Sequence, residues 1–175
     1  MSDIIEEEYD EPKKADPFIL LPKSNMNLVS CKDAYNREKN ENRCYFSKGD
    51  GFWKDYDPVG FSIHLGRYKY NSDLSSTGFV RRNTVGGMVR DMDDTLTHKN
   101  MFGVYKILCD STGNYSVVCV FITRGQNIIP GVFGLQYEYF SWEKLECKSL
   151  IFQAFHSMVD GIFEDKIVDH HILFV

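Results

Sequence analysis

Phe102 to Cys109 and Tyr115 to Thr123 are two runs of β-branched and aromatic residues joined by Asp110-Ser111-Thr112-Gly113-Asn114. A polar, Gly-containing linker of this length between two such runs specifies a β-hairpin. It commits the centre of the chain to antiparallel pairing and constrains everything around it. Phe61, Ile63 and Leu65 alternate with Ser62, His64 and Gly66, the pattern of a half-buried strand. Asn127 to Ile129 and Leu135 to Trp142 read as further strands after an Arg124-Gly125-Gln126 turn.

Helical spacing flanks these runs. Leu28, Cys31 and Tyr35 recur on one face of a segment that Ser24 or Asn27 can cap and that extends to about Lys39. Val85, Met88, Val89 and Met92 form a stripe from about Asn83 to His98. Gly86-Gly87 inside it costs about 1 kcal/mol per glycine against alanine, which a close helix-to-sheet contact explains. Leu150, Ile151, Ala154, Phe155 and Met158 place a last helix from about Lys148 to Val159. Pro17 and Pro22 bracket Phe18-Ile19-Leu20-Leu21, which reads as an extended segment laid on the body. Residues 40 to 51 read as a polar loop. Strands in meander order with helices before and after them define an α+β fold. At 175 residues one domain suffices, with enough buried surface to need no disulfide or metal staple.

Charge is unevenly placed. Residues 1 to 16 hold seven acids and two lysines, a net of −5 that equals the total for the chain. Residues 1–15 therefore read as an acidic, disordered leader, and 16–175 as the folded domain. The body carries eighteen acids and eighteen bases, so it lacks the basic excess of a nucleic-acid binder. No secretory leader and no apolar run near the ~20 residues of a membrane span is present in the sequence given. Five cysteines without a C-x-x-C pair read as reduced thiols of a cytoplasmic protein.

The search for chemistry yields little. His64, His98, His156, His170 and His171 stand in no metal-ligand spacing. Asp91-Met92-Asp93-Asp94 lacks the glycine of a calcium loop. Cys147 with His156 can be drawn as a thiol nucleophile and its base, but nine residues across a strand-to-helix corner fix no contact. No catalytic residue, cofactor or metal is expected. The remaining feature is a ring cluster: Phe52, Trp53, Tyr56, Phe61, Tyr68 and Tyr70, interleaved with Lys54, Arg67 and Lys69. Such rings serve as core, as a partner patch, or as a stacking platform for RNA. Trp53 is assigned to the core. Tyr56, Arg67, Lys69 and Arg124 are the expected partner-contacting residues.

Several motifs occur in a fixed order. They are Asp16-Pro17-Phe18 with Leu21-Pro22-Lys23-Ser24, then Phe52-Trp53 with Asp57-Pro58-Val59-Gly60-Phe61-Ser62-Ile63, then Val120-Phe121-Ile122-Thr123-Arg124-Gly125-Gln126. Tyr139-Phe140-Ser141-Trp142-Glu143-Lys144-Leu145-Glu146 closes the set. This series resembles the C-terminal domain of the eukaryotic translation elongation factor 1B gamma subunit over about residues 15 to 165. The resemblance implies a central antiparallel sheet of about five strands flanked by helices. It also implies a non-catalytic scaffold role in the elongation factor 1B nucleotide-exchange complex, with its other subunits and elongation factor 1A as partners. An RNA-binding or thiol-dependent enzyme module is the alternative. Family members carry a preceding glutathione-transferase-like domain that docks the exchange subunit. Here only the acidic leader precedes Asp16, so a chain lacking that domain is expected, cut from a longer one or encoded short. Asp160-Gly161-Ile162-Phe163 lacks the family's tryptophan, and the apolar ending Ile172-Leu173-Phe174-Val175 is expected to tuck against the sheet. The isolated domain is expected to be monomeric.

Overall fold

The computed structural model describes residues 15–41, 45–46, 51–92, 95–156 and 161–174. Of the leader expected at residues 1–15, residues 1–14 lie outside them. Among the described residues six strands form one curled antiparallel sheet: β1 Phe61–Tyr68, β2 Met101–Cys109, β3 Tyr115–Arg124, β4 Phe140–Lys144, β5 Ile162–Phe163 and β6 Lys166–Phe174. Their spatial order is β4-β1-β3-β2-β6-β5. The expected α+β architecture holds, with six strands where about five were expected.

The β2–β3 hairpin is the longest pairing, running from Met101↔Thr123 to Cys109↔Tyr115. Its turn is organised by one carboxylate. Asp110 Oδ1 accepts from Thr112 N, Thr112 Oγ1 and Asn114 N, and Gly113 takes the left-handed φ of +82° that the return requires. These bonds, the Thr112 hydroxyl first, pull the Asp110 carboxyl down to about 2.

Both faces of the sheet are covered. On one, Phe61, Ile63, Leu65, Phe102, Val104, Val120 and Ile122 meet helices α1 Leu28–Asn40 and α7 Lys148–His156, with Tyr45, Phe46 and Phe52 between them. Asn27 caps α1 by accepting from Ser30 N. On the other face, Tyr105, Val117, Cys119 and Phe121 meet helix α3 Gly78–Asp91 and Phe133. This double cover is why β1 is buried at six successive positions instead of the alternate ones expected.

Several expected elements differ. Residues 17–20 form a turn in which only Phe18 is buried, while Ile19 and Leu20 stay 78% and 90% exposed. The helix expected over 83–98 is two helices, α3 and α4 Thr95–Asn100, and begins earlier, after Thr77. Gly86 and Gly87 touch nothing within 4 Å of a built Cβ, so no sheet contact accounts for them. Of the strands expected at 127–129 and 135–142, the first is irregular and is followed by helix α5 Pro130–Phe133, and the second is helix α6 over Leu135–Tyr139 and strand only from Phe140, where β4 begins. Pro130 at the first helical position and Gly134 at φ +55° set that path. Leu150 faces solvent rather than inward, and Met158 lies outside the described residues. Of the apolar ending expected to tuck against the sheet, Ile172 to Phe174 instead form the end of strand β6, paired with β2, and Val175 lies outside the described residues. Tyr45 and Phe46, within the expected polar loop, are core residues.

The glycines give a paired prediction. A Cβ at Gly103 would lie 2.4 Å from the Phe121 ring, whereas Gly86 faces open space inside a helix. Gly103→Ala should lower unfolding stability by about 1–3 kcal/mol, and Gly86→Ala should raise it by about 0.5–1 kcal/mol. Urea midpoints of the two variants against the parent chain measure both signs.

Candidate partner-binding face

The motifs that are separate in sequence meet in one knot at the start of β1 and the end of β3. Ser24 Oγ donates to Asp57 Oδ2 at 2.6 Å and also accepts from Met26 N. The Ser24 hydroxyl first, then backbone donors at Gly60 and Val59, hold the Asp57 carboxyl below its ordinary range. Arg124 donates to the Pro22 carbonyl, and its guanidinium carbon lies 5.5 Å from the Phe61 ring centroid. Gln126 donates its amide to the carbonyls of Pro58 and Val59 at 2.8 Å and of Phe61 at 3.2 Å. Gly125 N bonds Gly60 O at 2.8 Å, with Gly125 at φ +86°. Gly60 is confined, since a Cβ there would sit 2.4 Å from the Asp57 carboxylate.

Beside the knot opens a cleft of about 500 Å³ between α2 (Phe52–Asp55), the end of β4 and the start of α7. Trp53, Tyr56 and Phe61 line its floor, and Gln126, Lys144 and Lys148 its rim. Both half-buried rings are anchored. Trp53 Nε1 donates to Phe46 O at 2.9 Å, and Tyr56 OH to Phe61 O at 3.4 Å. Burial pushes the Tyr56 phenol up to about 12. Lys144 Nζ donates to Gln126 Oε1 at 2.8 Å, and Lys148 Nζ stands 5.0 Å from the Trp53 ring centroid.

The four residues expected to contact partners fall into two pairs. Tyr56 and Arg124 both touch Phe61 at the knot. Arg67 and Lys69 lie toward the other end of β1, about 20 Å away at ~3.3 Å per residue. Arg67 forms a two-pronged ion pair with Glu164 at 2.6 Å for each contact, with Glu143 at 3.9 Å. That pair joins β1 to the β5–β6 turn across the curl of the sheet. Lys69 donates to Glu138 O at 2.8 Å. Trp53, assigned to the core, is half-buried instead: it packs on the core from outside.

The drawn thiol–imidazole pair is separated. Cys147 precedes α7 and His156 ends it, so nine helical residues hold them about 13 Å apart along the axis. Cys147 Sγ lies 3.0 Å from Ser149 Oγ, and His156 stacks on Phe152. Among the described residues no group of three or more His, Cys, Asp or Glu is placed to hold a metal ion, and no helix is long and apolar enough to cross a membrane. Asp93 and Asp94 lie outside the described residues.

Sequence reasoning missed one polar pair that alternation on β1 could have revealed. Ser62 and His64 share a face, and Ser62 Oγ lies 2.8 Å from His64 Nε2. Ser62 Oγ also donates to Gly125 O at 2.7 Å, so the proton between the pair belongs to the imidazole. This arrangement fastens the knot and leaves no base for the serine. Burial, with Lys144 adding repulsion, pushes His64 down to about 4, below the 6.5 of a free imidazole. A folded pKa below the unfolded one means stability is full above pH 6.5 and is lost as pH falls through 4. Between pH 7 and 4 the parent chain should therefore lose up to about 3 kcal/mol more unfolding stability than His64→Gln. Parallel stability curves for the two proteins would contradict this.

Comparison with known proteins agrees with the motif series. The conserved domain of elongation factor 1 gamma matches residues 13–127. Elongation factor 1-gamma of Prunus avium is 38% identical over 142 residues, covering 80% of this chain and 32% of the relative. Probable elongation factor 1-gamma 1 of Arabidopsis thaliana is 37% identical over 162 residues, covering 91% and 37%. Elongation factor 1-gamma of Drosophila melanogaster is 30% identical over 144 residues, covering 79% and 31%. The chain thus spans about a third of the length of these relatives. With its motifs gathered in one knot and a family match over most of its length, this chain belongs to the elongation factor 1-gamma family.

Proposed function

We propose that this chain is a non-catalytic structural component of the translation elongation factor 1B complex, supporting elongation through protein–protein contacts. Its partners on this reading are the other subunits of that complex and elongation factor 1A. The observation that supports it is the use made of the family motifs. Ser24, Asp57, Arg124 and Gln126 direct their hydrogen bonds to backbone, to each other and, from Gln126 Oε1, to Lys144, with Arg124 Nε alone of these atoms buried without a partner among the described residues. They fix the shape of a surface instead of presenting a reacting atom, as a docking platform requires.

Residues 16–175 act on this reading as one cytoplasmic, monomeric unit behind an acidic leader. Tyr56 and Arg124 contribute to the contacting face beside the cleft. Arg67 and Lys69 contribute a second, more polar contact area at the far end of β1. The half-buried Trp53 and Tyr56 are of the residue types enriched among interface hot spots.

Affinity-tagged chain recovered from native extract of its own cells should carry elongation factor 1A or the exchange subunits well above a tag-only control, read by mass spectrometry. Recovery of neither, with the tagged chain folded and abundant, would remove this function while leaving family membership intact.

A further inference from the structure

The Trp53 cleft has a charge pattern unlike that of its neighbours. Lys144 and Lys148 stand on its rim and contact the Gln126 amide and the Trp53 ring, both neutral. Among the described residues neither lysine has an ion-pair partner. Arg67, by contrast, is matched by Glu164. A larger hollow of about 920 Å³ on the other side of α2 is also self-matched, with Lys23, Arg37 and Lys54 facing Glu38, Asp55 and Asp57. Among the described residues the cleft has a single acid, Glu146, on its wall. Its floor is aromatic and held in place by the bonds from Trp53 to Phe46 O and from Tyr56 to Phe61 O.

We infer that this cleft takes a short acidic segment of a partner protein. An aromatic or branched apolar side chain lies over Trp53 and Tyr56, and flanking carboxylates meet Lys144 and Lys148. Charge complementarity selects this occupant. Two ammonium groups beside one carboxylate suit one or two acidic side chains, and the formally neutral body does not suit a phosphate backbone. A volume near 500 Å³ lies within the range of sites for small ligands and short side-chain clusters. Rings already immobilised in the free protein lose little freedom on binding, which favours affinity. The lysines lengthen the reach of the cleft and make association depend on salt. This inference rests on the reading of the chain as a protein-contact module and supplies the chemistry of one partner.

The test titrates the full chain into a fluorescein-labelled peptide, acetyl-Glu-Asp-Phe-Glu-Asp-Leu, followed by fluorescence anisotropy. A second peptide carries Gln and Asn in place of the acids. Saturable binding is expected, at least tenfold weaker for the neutral peptide and for the Lys144→Gln/Lys148→Gln double variant. It should be unchanged for Lys99→Gln on α4, with matching urea midpoints for all proteins. Absence of saturable binding, equal affinity of the double variant, or an equal loss in Lys99→Gln overturns the inference. Co-purification with the double variant separates the two readings. If elongation factor 1B subunits are still recovered while the peptide never binds, the cleft assignment fails and the scaffold role stands. If the peptide binds as expected but no such subunit is recovered with the parent chain, the scaffold role fails and the cleft stands.

Discussion

The stack of Phe46 on Phe155 is the contact on which one half of the molecule depends. Their ring centroids are 4.1 Å apart and their planes within 10°. Phe155 lies parallel to Phe102 of β2 at 6.0 Å, and Phe46 meets Phe52 of α2 at 4.6 Å. Tyr35 of α1 packs edge-on against Phe46, Phe102 and Phe155. Helices α1, α2 and α7 and residues 45–46 are thereby fixed to one face of the sheet by rings, each burying a large apolar area. Lys106, otherwise a liability on that face, donates to the Ala154 carbonyl in the last turn of α7 and so docks the helix end.

The outward end of this ring series becomes the cleft. Phe52 is fully enclosed, while its neighbour Trp53 is half-buried and Lys54 is exposed. One short helix thus changes from interior to surface over three residues. The knot beside it has a complementary role. It fixes the entry of β1 and the exit of β3 by side chains bonded to carbonyls, so the cleft wall is positioned by hydrogen bonds and its floor by ring packing together with the bonds of Trp53 and Tyr56. The other face of the sheet is covered independently by α3. There Arg81 is buried with its guanidinium 3.3 Å from the Tyr115 ring centroid, bonded to the carbonyls of Ser75 and Ser76 and paired with Asp169 at 3.4 Å.

Much of the fold was legible because it is local. The β2–β3 hairpin follows from its turn, and α1 follows from Asn27 and the Leu28, Cys31, Tyr35 spacing. The failures are tertiary. Leu135 to Tyr139 has the composition of a strand, yet Pro130 and Gly134 turn the chain into short helices under Phe121 and Trp142. Gly86 and Gly87 suggested a close approach that the helix does not make, while the close approach occurs at Gly103 and Gly66 under aromatic rings. The residues of the knot were legible as motifs, but their convergence was not. Hydrogen bonds such as Arg124 to Pro22, separated by 102 residues, leave no periodic trace. The Ser62–His64 pair did leave one, in the alternation of β1.

The division of the ring series into interior and working edge is tested most directly by comparing two adjacent substitutions. Phe52→Ala removes a fully buried ring and should cost about 3–5 kcal/mol of unfolding stability. Trp53→Ala removes a half-buried ring and one hydrogen bond, and should cost less, about 1–2 kcal/mol. Urea denaturation of the two variants beside the parent chain gives both values. A loss for Trp53→Ala equal to that for Phe52→Ala would place Trp53 in the interior and contradict the account.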